Sequence, residues 1–62
     1  MEGKFLYDIT LDGEYIADSG DLEFNTEKEA QADADDFIIS ELSKECGRPV
    51  RDFGVLIYKA LY

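Results

Sequence analysis

Sixty-two residues make a single domain, residues 1–62, with a modest core; a chain this short buries only about 60% of the surface its unfolded form exposes. Fifteen acids stand against six bases, a formal net charge of −9, with no His, no Trp and one Cys. That balance excludes an intramolecular disulfide scaffold, removes His-activated nucleophilic chemistry, and opposes direct binding to nucleic-acid phosphates.

The acidity sits on a folded body, because 45% of the residues are apolar and four Phe and four Tyr are present. Residues 1–45 hold fourteen acids and three lysines, a balance of −11; residues 46–62 hold Asp52 against Arg48, Arg51 and Lys59, a balance of +2. The expected molecule is polarised, with an acidic body and a small basic patch at the turn before the last strand. Met1 to Phe5 carries no basic segment leading into an apolar core, and no apolar run approaches the roughly 20 residues of a membrane span. Neither a signal peptide nor a membrane segment is expected, and the lone Cys46 suits a reducing cytoplasm.

Phe5, Tyr7, Ile9 and Leu11 alternate with Leu6, Asp8 and Thr10, the period of two of a half-buried strand. Asp12-Gly13 is a type I′ hairpin signal, because both central residues of that turn need positive φ. The return strand is Glu14 to Asp18. A two-residue loop sets Leu11 against Glu14, Ile9 against Ile16 and Tyr7 against Asp18. One face then carries Phe5, Tyr7, Ile9, Leu11 and Ile16, and the other Leu6, Thr10, Tyr15 and Ala17. Ser19-Gly20 breaks or bulges the strand, and Leu22 and Phe24 continue the apolar alternation.

Thr26 and Glu29 have capping-box spacing, so a helix is predicted from Glu27 to about Cys46. Ala30, Ala34, Phe37, Ile38 and Leu42 form its apolar stripe. Gly47 is the natural C-terminal cap and Pro49 stops continuation. Phe53 to Ala60 is the last strand. A right-handed crossover from the second strand to the third passes over the first. The predicted fold is α+β, ββαβ, a three-stranded antiparallel sheet in the order 2-1-3 with one helix packed on one face. The other face is left open, showing Leu6, Tyr15, Leu56 and Tyr58.

Chemistry-bearing patterns are few. Asp33-Ala34-Asp35-Asp36 and Asp18 to Glu23 lack calcium-loop spacing and read as solvated acidic faces. Cys46 has no activating His and reads as a small, partly buried filler. No catalytic, cofactor or metal residue is assigned, and no enzyme is expected. The pattern that remains is a row of acids on the solvent side of the helix: Glu29, Asp33 and Asp36, extended by Ser40. Residues 29 and 36 lie roughly 10 Å apart at helical rise. Carboxylates so spaced can imitate the phosphates of a nucleic-acid strand and attract the Lys and Arg that bind it. Partner-binding residues are therefore Glu29, Asp33 and Asp36 on the helix, or Leu6 and Tyr15 on the open sheet face.

Gly13-Glu14-Tyr15, followed by Leu22 through Ala30 with its Thr-x-x-Glu-Ala helix start, resembles the arm-type DNA-binding domain of phage integrases. That resemblance implies a three-stranded sheet with one helix. The family reads DNA with basic strands, whereas the matching strands here carry Asp8, Glu14, Asp18, Asp21 and Glu23. In size, acidity and layout the chain is also similar to small phage-encoded proteins that inhibit host machinery. The expected function is a small acidic protein-binding module, of phage or mobile-element origin, that blocks or modulates a basic, nucleic-acid-binding host protein without contacting nucleic acid itself. The alternative is a homodimeric accessory protein that associates through its open sheet face.

Overall fold

The structure, a computed structural model, describes residues 4–60. It is an α+β fold of three antiparallel strands in the order β2-β1-β3 with a helix across one face. β1 (Lys4–Leu11) and β2 (Glu14–Asp18) form the hairpin; β3 (Phe53–Ala60) pairs along the other side of β1. Asp12 and Gly13 turn the hairpin at φ 56° and 84°, both positive as a type I′ turn requires.

The hairpin register departs from the two-residue-loop expectation. Leu11 faces Glu14 and Thr10 faces Tyr15, but Ile9 then faces Ala17 and Asp8 faces Asp18. The pairing shifts between Ile9 and Thr10, leaving Ile16 as the extra residue of a bulge. The expected Ile9–Ile16 and Tyr7–Asp18 pairs do not form. Ala17 replaces Ile16 on the core face, and Ile16 is exposed. Ala17 suits the closely approached core face better than Ile does, and the bulge delivers it there.

Asp18 ends β2. Its Oδ1 accepts from Gly20 N–H at 2.8 Å, and Leu22 N–H donates to Ser19 O at 3.0 Å, so the chain turns sharply. Ser19 is buried and closes the ladder on β1: its N–H donates to Tyr7 O, and its hydroxyl accepts from Tyr7 N–H at 3.3 Å. Phe24 then rejoins β1 as a single bridge opposite Phe5. One edge of β1 is thus shared by two segments. Leu22, expected to continue the apolar alternation, lies in the turn and is exposed.

Thr26 caps the helix, its Oγ1 accepting from Glu29 N–H at 3.1 Å. The helix runs as α1 (Glu27–Phe37), a π-helical turn (Ile38–Leu42) and α2 (Ser43–Cys46), and Gly47 terminates it in the left-handed region at φ 65°. The π turn has a reason in the sequence. Ala30, Ala34, Ile38 and Leu42 are the buried residues, each four apart. At about 3.6 residues per turn, every step of four drifts about 40° around the helix. The wider i→i+5 turn takes up that drift and keeps Ile38 and Leu42 facing the sheet.

The core is Tyr7, Ile9, Ala30, Ala34, Ile38 and Leu42, with Phe5, Ala17, Phe24, Phe37, Phe53, Val55 and Ile57 packed around it. The two alanines let α1 sit close to β1. Tyr7 stacks on Phe24, ring centroids 6.0 Å apart. A 3-10 turn at Val50–Asp52 leads into β3. Gly54 is required where β3 crosses Thr10, because a Cβ there would stand 2.7 Å from Thr10 Oγ1. Cys46 is exposed rather than partly buried, since the last turn of α2 projects beyond the sheet.

Candidate functional site

The acidic helix row does not behave as three equivalent solvent carboxylates. Glu29 and Asp36 are exposed, but Asp33 is half-buried. Its Oδ2 accepts a 2.7 Å hydrogen bond from the Tyr7 hydroxyl. Tyr7 belongs to the central strand and its ring is buried, so the acidic face is bonded to the core. Burial, with Asp33 second, raises the Tyr7 phenol well above its ordinary value, and it stays a donor at neutral pH.

Asp33 and Asp36 border a groove of about 350 Å³ between the helix and the turn after β2. Phe37, Ser40 and Glu41 line it from the helix, Asp18, Ser19 and Leu22 from the turn, and Tyr7 lies at its floor. Carboxylates at the mouth surround apolar surface from Tyr7, Leu22 and Phe37. Glu29 does not line the groove; it stands one turn toward the capped end. Sequence reasoning missed Leu22 and Glu41. Leu22 had a signal, as an apolar residue isolated between Asp21 and Glu23. Glu41 had none, because it falls inside the π turn.

The open sheet face carries the second group of candidates. Leu6 is half-buried there, and Tyr15, Leu56 and Tyr58 are exposed, as their alternation predicts. The register adds a feature that the sequence pairing hid. Asp8 and Asp18 stand directly opposite each other on this face. Like charges so placed destabilise a sheet, and tyrosine hydroxyls relieve them. Tyr15 donates to Asp18, and Tyr58 donates to Asp8 at 3.5 Å. The Tyr15 bond and the Gly20 N–H hold the Asp18 carboxyl below its usual range.

Within the basic patch expected before β3, Arg48 is matched by acids. Arg48 Nη1 and Nη2 bind Asp12 at 2.8 and 3.0 Å, and its Nε binds Asp52 at 3.1 Å. These bonds hold the Asp12 carboxyl below its usual range. The clamp ties the hairpin turn to the end of the helix. Lys59 lies over the Phe5 ring, 5.7 Å from its centroid.

Among the described residues, no group of three or more His, Cys, Asp or Glu is placed to hold a metal ion, and no helix is long and apolar enough to cross a membrane. Compared with known proteins, the chain matches no family, no curated sequence and no solved structure, so its site is read from its own residues.

Proposed function

We propose that the chain is a small acidic protein-binding module that occupies a basic, nucleic-acid-binding surface of a host protein and so blocks or modulates it. The carrying observation is the groove between helix and turn, with Asp33, Asp36 and Glu41 around apolar surface from Tyr7, Leu22 and Phe37. Lys and Arg side chains have the matching form, an apolar stem with a charged head. Glu29 extends the acidic row beyond the groove, as successive phosphates extend along a strand. A phage or mobile-element source fits this reading.

The homodimer through the open sheet face has Tyr15, Leu56 and Tyr58 in its favour. The Asp8–Asp18 pair weighs against it, because a two-fold contact there buries four carboxylates together. On that face Leu6 and Tyr15 serve better as a secondary contact for a cationic partner.

The test is competition. The chain, immobilised, should retain from a bacterial lysate proteins that salt elutes and that double-stranded DNA displaces. The variant Glu29→Gln/Asp33→Asn/Asp36→Asn should lose them. Retention that DNA leaves unaffected contradicts the proposal.

A further inference from the structure

The two edges of the sheet are built differently. β2 is five residues long, bulged at Ile16, and carries Glu14 and Asp18. Short length, a bulge and charge are the devices by which natural sheets keep an edge from pairing with another chain. β3 lacks the first two and has little of the third. It is eight residues long, pairs with β1 without a register shift, and contains one charged residue, Lys59. Among the described residues the sheet ends at β3, so its outer backbone groups have no strand partner.

We infer that the outer edge of β3 pairs antiparallel with β3 of a second copy, joining two sheets into one of six strands. Charge decides the occupant. A body of −9 repels its own copy almost everywhere, yet β3 carries no acid and one cation, Lys59. The β3 edge is where two copies approach at least electrostatic cost. An arginine-rich segment gains least there, where the strand offers no carboxylate and Lys59 repels it.

A two-fold axis normal to the sheet at Leu56 gives a register with good partners. Directly opposed residues share a face, so Leu56 meets Leu56, Ile57 meets Val55, Tyr58 meets Gly54, and Lys59 meets Phe53. Ile57 and Val55, both half-buried at the rim of the core, extend it across the junction. Tyr58 covers Gly54, an aromatic over an edge glycine. Both helices fall on the same side of the six-stranded sheet, so the two acidic grooves face one way. This inference does not depend on what those grooves bind.

Sedimentation equilibrium from micromolar to millimolar protein tests it, at low and high salt. The parent should show a monomer–dimer equilibrium that salt strengthens, since screening relieves the repulsion of two acidic bodies. Leu56 is exposed and pairs with Asp8, so Leu56→Lys should fold, and Leu56→Glu, which adds a third acid beside Asp8 and Asp18, is checked for fold by circular dichroism. Each alone should lose the dimer, and an equimolar mixture should restore it as a heterodimer. Tyr15→Lys, in β2 on the open face, adds a cation near Asp8 and Asp18 and should leave the dimer intact. Alternate β3 amides should exchange more slowly as the parent dimerises, while those of β2 do not. A parent that stays monomeric at millimolar concentration in high salt overturns the inference. So does a dimer that survives Leu56→Glu, or one that Tyr15→Lys abolishes while the protein stays folded.

Discussion

The hydroxyl of Tyr7, a residue of the buried central strand, donates a 2.7 Å hydrogen bond to Asp33 on the acidic face of the helix. One side chain therefore belongs both to the core and to the candidate site. Its ring stacks on Phe24, and its polar end fixes a carboxylate that borders the groove. A site carboxylate held in this way is ordered before any partner arrives.

Tyr7→Phe should keep the core and lose that bond, at a cost of about 1.5–3 kcal/mol for a hydrogen bond to a charged group. The same bond sets an alkaline limit. The Tyr7 phenol is raised by burial and by Asp33. A raised folded-state pKa contributes stability that is fully present below the unfolded value of about 10 and is lost as pH rises through the folded one. Denaturation followed from pH 8 upward should show stability falling above about pH 10. In Tyr7→Phe that fall should be shallower. An equal alkaline slope in both proteins contradicts this role.

Thr26→Ala should remove the helix cap and cost about 1 kcal/mol. In a domain this small the thermal midpoint should drop by several degrees, roughly 4–8 °C. An unchanged midpoint would mean that Thr26 Oγ1 does not cap Glu29 N–H in solution.

Ile38 is 2% exposed and lies at the start of the π turn. Ile38→Ala should cost about 2–5 kcal/mol. A domain of this size has on the order of 3–9 kcal/mol in total. The variant should therefore lose a large share of its stability, with a clearly lowered thermal midpoint by circular dichroism. A folded variant with parental stability would show that the π turn does not aim Ile38 into the core.

Arg48→Lys should fail to replace the Arg48 clamp, because one ammonium cannot make the paired bonds to Asp12 and the bond to Asp52 together. The Arg48→Lys and Arg48→Ala midpoints should fall alike at low salt. Recovery of the parent midpoint in Arg48→Lys would reduce the clamp to simple charge attraction.

Elements with local chemical punctuation were legible in the sequence. Asp12-Gly13, Thr26 with Glu29, and Gly47 before Pro49 each impose a backbone conformation on their own. With the alternation of β1 they lead to the strand order and the helix face. The bulge at Ile16 was not legible, because Ile16 and Ala17 are both apolar and only packing against the helix chooses between them. The π turn was visible only as a stripe of fours, which an α-helix also tolerates over one or two turns. At the site, the acidic row could be read but its unequal burial could not. Asp33 looks like Asp36 until β1 brings the Tyr7 hydroxyl beneath it. The Asp8–Asp18 pair and the Arg48 clamp depend on contacts between distant segments, which period and spacing do not encode.

The central claim is that the groove between helix and turn receives basic side chains. The most direct measurement is an amide NMR titration with a short peptide carrying two arginines flanked by leucines, at low and then moderate salt. Shifts should concentrate at Leu22, Asp33, Asp36, Phe37 and Glu41, weaken with salt and vanish in Asp33→Asn/Asp36→Asn. Shifts spread evenly over the acids, or concentrated at Leu6, Asp8, Tyr15 and Tyr58, would contradict that claim.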